Sequence, residues 1–159
     1  GYGAVLIEVL RANPALTGHV QDLAQIADGA QRYLDQAGLD GRASFRGSDF
    51  FADVPEDADC ILLKYILHDW PDGDCARILA NIRSALAPGA TLITLERILP
   101  ERVGPLDEPV VRTDLVMMPI SGKERTEAEF RSMLGTAGFT VEAVKRLVDG
   151  CWAIEARAA

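Results

Sequence analysis

One histidine stands in a setting suited to proton chemistry. His68 lies in Lys64-Tyr65-Ile66-Leu67-His68-Asp69-Trp70-Pro71-Asp72, and it is one of only 2 histidines in 159 residues. An imidazole titrates near neutrality, so it can take a proton from a hydroxyl at working pH. A structural loop histidine would have the same local sequence, so the reading needs partners. Glu96 and Glu124 are acids that could hold the ring in one tautomer and stabilise its charged form, as the carboxylate of a hydrolase triad does. Lys123-Glu124-Arg125 would otherwise read as solvated charge, and His19, with no comparable neighbours, reads as a surface residue.

A second group of residues suits a nucleotide-like ligand. Gly1-Tyr2-Gly3 runs straight into the helical apolar stretch from Ala4 to Leu10. Glycine leaves room for a ligand against the backbone. The chain therefore reads as opening in the tail of a glycine-rich loop, with its strand missing, as a piece of a larger protein. A bare Gly-x-Gly is also an ordinary turn. Asp22 follows Gly3 by 19 positions, which suits an acid on ribose hydroxyls, and it suits equally a helix N-cap. Asp49-Phe50 could accept from an adenine amino group and cover a ring face, or could be a turn acid beside a core ring. Met117 and Met118 could line an aromatic pocket or simply fill core.

The elements that must position these residues alternate between helix and strand. Helical patterns cover residues 4–12, 24–37, 72–86, 111–118 and 126–138. Strand patterns cover 18–23, 42–46, 60–63, 91–95, 141–147 and 151–157. Asp72 reads as a helix cap, and Thr126 with Glu129 as a capping box. Residues 100–109 read as a loop. The alternation predicts one α/β domain over residues 1–159: a Rossmann-like, doubly wound, mainly parallel sheet with a C-terminal antiparallel strand pair. Ligands of such sheets bind beyond the carboxyl ends of the strands. Gly1, Gly3, Asp22, Asp49, Lys64 and Glu96 all fall at such ends, with His68 just beyond.

Composition narrows the partners. The net charge of −8 argues against a nucleic-acid partner, which usually meets a basic face. No apolar run approaches the ~20 residues that span a bilayer. Cys60, Cys75 and Cys151 are scattered, without metal-ligand spacing, and read as buried thiols of a reducing, cytoplasmic setting. No metal site is expected.

The segment Leu62 to Pro71, LLKYILHDWP, resembles the hallmark of the caffeic-acid-type (class II) small-molecule O-methyltransferases, which use S-adenosylmethionine. The likeness continues through Ala90 to Glu96 and through Gly122-Lys123-Glu124-Arg125-Thr126. It implies that Gly1 and Gly3 end the cofactor loop, that Asp22 binds the ribose, and that Asp49 and Phe50 lie beside the adenine. Lys64 would lie near the cofactor, His68 would be the base, and Glu96 and Glu124 would flank it. Met117, Asp114 and Trp70 would be substrate-lining. The first strand and the N-terminal helical domain of such enzymes, used for dimerisation and for closing the substrate pocket, are absent from this chain. Residues 119–122 look shorter than in plant relatives, which leaves the pocket shape open.

The expected activity is methyl transfer from S-adenosylmethionine to a hydroxyl, a phenol above all, of a small aromatic natural product, by a homodimer in the full-length protein. The alanine- and arginine-rich composition suggests a high-GC bacterial source and with it an aromatic secondary metabolite. Three rivals stand beside this reading: a nicotinamide-dependent Rossmann oxidoreductase, a relative with altered hydroxylase chemistry, and a non-catalytic binding module.

Overall fold

The computed structural model describes residues 1–39, 41–55 and 58–159. The chain forms two compact units, Gly1–Val54 and Pro55–Ala159.

The first unit contains α1 (Ala4–Ala12), β1 (Gly18–Asp22), α2 (Ala27–Gln36) and β2 (Ala43–Gly47). Apolar residues at helical spacing, Ile7 and Leu10 of α1, meet Leu34 of α2 and Leu39 in the core, with Val20 and Phe45 of the strands packed against them. β1 and β2 pair in parallel, with Asp22 opposite Gly47. Arg42 ties the end of α1 to this pair by donating to the carbonyls of Leu10 at 3.1 Å and Leu16 at 2.9 Å.

The second unit contains β3 (Cys60–Lys64), α3 (Asp72–Ala85), β4 (Thr91–Leu99), α4 (Glu108–Met117), β5 (Arg125–Thr126), α5 (Glu127–Thr136), β6 (Phe139–Arg146) and β7 (Cys151–Ala158). The spatial order is β3-β4-β7-β6, with the short β5 beside the end of β4. β3 and β5 run parallel to β4, whereas β7 runs antiparallel to both β4 and β6. Alternation along β4 buries Leu92, Thr94 and Glu96 on one face. Ile78, Leu79, Ile82 and, just past the helix, Leu86 form the expected apolar stripe of α3.

The α/β architecture and the closing antiparallel pair match the expectation. The sheet is more mixed than expected, because β7 inserts between β4 and β6 instead of following β6 at an edge. Among the described residues the strands register in two sheets, the β1–β2 pair forming its own.

Smaller expectations are corrected. Asp72 begins α3, but Pro71 holds the cap position and no side chain caps the helix. The Asp72 carboxylate is drawn instead to Arg125 and Lys123, where charge-assisted bonds outweigh a cap. Cys60 is exposed, since β3 turns that residue outward, while Cys75 and Cys151 are buried. His19 is half-buried in β1. The stretch read as a loop ends in a turn of 3-10 helix (Pro105–Asp107) that leads into α4, which starts at Glu108, ahead of the expected residue 111. The Thr126 capping box forms as read, with Glu129 N donating to Thr126 Oγ1 at 3.2 Å and Thr126 N to Glu129 Oε2 at 2.8 Å.

Candidate active site

β3 and β4 bring His68 to Glu96. Lys64 pairs with Leu95, so the chain leaving β3 emerges beside the next residue of β4, Glu96. Tyr65 takes a left-handed turn (φ 52°), rare for a residue with a side chain, and Leu67–Asp69 then form a turn of 3-10 helix. A short helix leaves amide hydrogens without partners at its start. Glu96 supplies the acceptor: its Oε1 takes bonds from Ile66 N at 3.2 Å and Leu67 N at 2.9 Å. Glu96 therefore braces the turn that carries His68 instead of orienting the imidazole directly.

Glu124 is the partner of the ring. Its Oε1 lies 3.1 Å from His68 Nδ1, with the Glu124 side chain fully buried and that of His68 nearly so. A carboxylate only accepts, so Nδ1 carries the hydrogen and Nε2 keeps a free lone pair. Asp69 Oδ1 stands 3.4 Å from Nε2 and favours the charged ring. Burial opposes the charged ring, but the Glu124 hydrogen bond and the charges of Glu96, Glu124 and Asp69 outweigh it and raise the His68 pKa. Tyr65 stacks on the ring, with centroids 5.4 Å apart and planes at 26°.

The loop from Gly122 to Thr126 is held against His68 by three devices. Lys123 N donates to the His68 carbonyl at 2.9 Å. Gly122 passes so close that a Cβ there would collide with that carbonyl oxygen and crowd Asp69 Cα at 3.1 Å. Arg125, 1% exposed, donates to the carbonyls of Leu67 at 2.7 Å and Trp70 at 2.8 Å and to Asp72 Oδ1 at 2.8 Å. One guanidinium thus grips the turn on both sides of His68. Cys75 adds a contact from its Sγ to the Leu67 carbonyl at 3.2 Å.

Lys123-Glu124-Arg125 thus divides: Lys123 keeps to the surface on Asp72 and Glu129, while Glu124 and Arg125 are buried. Sequence reasoning missed Gly122 and Arg125 as positioning residues. The one available signal was the acid-rich turn of Asp69 and Asp72, which called for a cation.

Asp114, expected to line the substrate, accepts from Glu124 N at 2.8 Å and so fixes the backbone of the ring's partner. That bond takes Oδ1 of its carboxylate. Met117 is half-buried at the end of α4, and its carbonyl accepts from Gly122 N at 3.1 Å. The Trp70 carbonyl is held by Arg125, with its side chain half-buried. Lys64 Nζ lies over the Tyr65 ring, 4.4 Å from its centroid.

The other expected residues gather in the first unit. Gly3 starts α1 with φ 91°, and a Cβ there would meet Val20 Cγ2 at 2.6 Å and Leu34 Cδ2 at 2.9 Å. Only glycine fits. Asp22 ends β1, where its Oδ1 accepts from Leu23 N at 2.7 Å and its Oδ2 meets the Gly1 nitrogen. It does not cap the following helix. The Asp22 carbonyl accepts from Ser48 N at 3.0 Å, which places the turn of Asp49 beside it. Asp49 is exposed, its Oδ1 accepting from Phe51 N at 2.9 Å, and the Phe50 and Phe51 rings lie 5.0 Å apart. Gly1, Gly3, Asp22, Asp49 and Phe50 therefore share one end of the β1–β2 pair.

His68, Glu96 and Glu124 each place a donor atom within 4.8 Å of the others. One oxygen of each acid is engaged in local bonds: Glu96 Oε1 on two amides and Glu124 Oε1 on the imidazole. Among the described residues no helix is long and apolar enough to cross a membrane.

Known proteins resemble this chain in sequence and fold. The model of a family described as the O-methyltransferase domain matches residues 1–140. A phenazine O-methyltransferase of Lysobacter antibioticus is 36% identical over 158 residues, covering 99% of this chain and 46% of its own length. The crystal structure of LaPhzM superposes with a TM-score of 0.93 at 35% identity, over 100% of this chain and 48% of that one. A neocarzinostatin-biosynthesis O-methyltransferase, NcsB1, solved with S-adenosylmethionine and 2-hydroxy-5-methyl naphthoic acid, gives a TM-score of 0.88 at 30% identity, over 100% of this chain and 46% of that one. The chain spans just under half the length of these proteins.

Proposed function

The chain belongs to the O-methyltransferase domain family, and from that premise we propose that the protein transfers a methyl group from S-adenosylmethionine to a hydroxyl of a small aromatic molecule, with His68 as the base. The observation that carries this reading is the buried His68–Glu124 pair at 3.1 Å, which leaves Nε2 free to accept a proton.

A phenol has a pKa of about 10 and is a poor nucleophile at neutral pH. His68 Nε2 takes its proton as the oxygen attacks. Glu124 fixes the tautomer and stabilises the imidazolium that forms, while Glu96, Arg125, Lys123 and Gly122 keep the turn in place. The remaining rate comes from holding the hydroxyl and the base in reacting geometry.

The cofactor, when bound, supplies an electrophilic methyl carbon. The first unit offers such a group a cradle of its own chemistry: the Asp22 carboxylate, a ribose acceptor, lies beside the glycine pair, with Gly3 seated on Val20 and Leu34. Asp49 and Phe50 would take the adenine. Lys64 and the substrate-lining roles of Met117, Asp114 and Trp70 belong to the same proposal, as do a homodimeric full-length protein, a cytoplasmic setting and the absence of a nucleic-acid partner. The test is calorimetric titration of the full-length protein with S-adenosylhomocysteine and, separately, NAD. Binding of the first alone supports the reading; binding of NAD alone favours an oxidoreductase and overturns it.

A further inference from the structure

Two carboxylate oxygens beside His68 have no partner. Glu96 Oε2 and Glu124 Oε2 are both buried without a hydrogen bond, although Glu96 is 0% and Glu124 2% exposed. The other oxygen of each is committed, Glu96 Oε1 to the Ile66 and Leu67 amides and Glu124 Oε1 to His68 Nδ1. Glu96 and Glu124 belong to one cluster with His68, their donor atoms within 4.8 Å. Leaving a buried charged acceptor unpaired is costly, and two such acceptors side by side repel as well.

Among the described residues neither glutamate makes an ion pair with a lysine or arginine, and Arg125 is committed to Asp72 and to backbone carbonyls. The titratable and charged groups on the pair or on its immediate neighbours are His68 and Asp69 on the 3-10 turn, Tyr65 after β3, Cys75 and Asp72 on α3, Asp114 on α4 and Arg125 on β5. Only His68 among them bonds to either carboxylate side chain.

We propose that Glu96 and Glu124 share one proton, with Glu96 the neutral acid that donates from Oε2 and Glu124 the carboxylate that keeps its charge for His68. One proton then satisfies both orphaned oxygens. Burial pushes the Glu96 carboxyl up to about 7, the direction this arrangement requires. The charge count also suits a base. With Glu96 ionised as well, Glu96, Glu124 and Asp69 would all favour a proton on His68 at rest. A neutral Glu96 removes one of the three and leaves Glu124 to orient the ring and stabilise it once it has taken the substrate proton. Glu96 is thus a positioning residue that tunes His68 through Glu124. The catalytic consequence rests on the proposed role of His68, whereas the shared proton itself does not.

The first readout is therefore independent of turnover. The infrared spectrum of the full-length protein at pH 6, where an ordinary glutamic acid of pKa ~4.3 is ionised, should show a protonated-carboxyl band that Glu96→Gln removes. The second is kinetic. Gln is isosteric with the neutral acid and still donates, so Glu96→Gln should lose at least about tenfold less turnover than Glu124→Gln and leave the acid limb of the kcat/KM profile in place. A missing band in the wild type, or one that survives Glu96→Gln, would overturn the proposal. So would a Glu96→Gln loss equal to that of Glu124→Gln, since it would make Glu96 an essential carboxylate. A band present with no methyl transfer by the wild type would refute the function while leaving the shared proton intact.

Discussion

The backbone of Gly122 lies against the carbonyl of His68 with no room for a side chain between them. Lys123 N fastens this crossing with a 2.9 Å hydrogen bond to the same carbonyl, and Glu124 follows at once to reach the imidazole. The order Gly-Lys-Glu therefore sets the His68–Glu124 distance through a steric contact, a backbone bond and a side chain in succession.

Gly122→Ala should push the loop off the 3-10 turn. Overpacking of this kind costs about 1–3 kcal/mol. Glu124 would retreat from Nδ1, so turnover should fall more than cofactor affinity does. Denaturant unfolding and steady-state kinetics on the same variant separate the two effects, and unchanged kinetics would show that the crossing has slack.

Arg125→Met keeps length but removes the grip on the turn. The Leu67 and Trp70 carbonyls lose a charged donor, a loss of about 2–4 kcal/mol at a buried site. Arg125→Lys should recover little, because a single ammonium cannot span both carbonyls and Asp72. A midpoint of unfolding in Arg125→Lys equal to that of the wild type would count against the clamp.

Stability should fall as pH rises across the Glu96 titration. Burial raises the Glu96 carboxyl from 4.5 to about 7 in the folded protein. Below pH 4.5 it is neutral in both states. Between these values the unfolded chain releases the proton and the folded chain keeps it, so up to roughly 3 kcal/mol is lost by pH 8. Glu96→Gln cannot ionise and should show a smaller loss between pH 5 and pH 8. Parallel pH dependences of unfolding for the two proteins would contradict the buried neutral carboxyl.

Gly3→Ala tests the first unit. A positive φ disfavours a side chain by about 1–2 kcal/mol, and the new methyl meets Val20 and Leu34. Binding of S-adenosylhomocysteine should weaken while the His68–Glu124 pair, in the second unit, keeps its pH behaviour. Affinity equal to the wild type would remove Gly3 from the cofactor cradle.

Much of this was legible from residue types. Short apolar runs marked β3 and β4, the 3.6-residue stripe marked α3, and Thr126 with Glu129 marked the start of α5. His68, Glu96 and Glu124 stood out as groups able to move or hold a proton. The insertion of β7 beside β4 was hidden, because antiparallel neighbours far apart in sequence leave no local signature. Arg125 was hidden for a different reason: a charge inside Lys-Glu-Arg looks solvated until the carbonyls it satisfies are placed around it. Asp72 looked like a cap because its local sequence permits one, and a distant guanidinium outbid the helix.

The claim that His68 is the base is tested most directly with His68→Gln in the full-length protein, by titrating S-adenosylhomocysteine and measuring methyl transfer to a phenolic acceptor across pH. The account predicts wild-type affinity for S-adenosylhomocysteine, transfer lowered by about a hundredfold or more, and loss of the acid limb that His68 gives to kcat/KM. Transfer at the wild-type rate with the acid limb intact would contradict it.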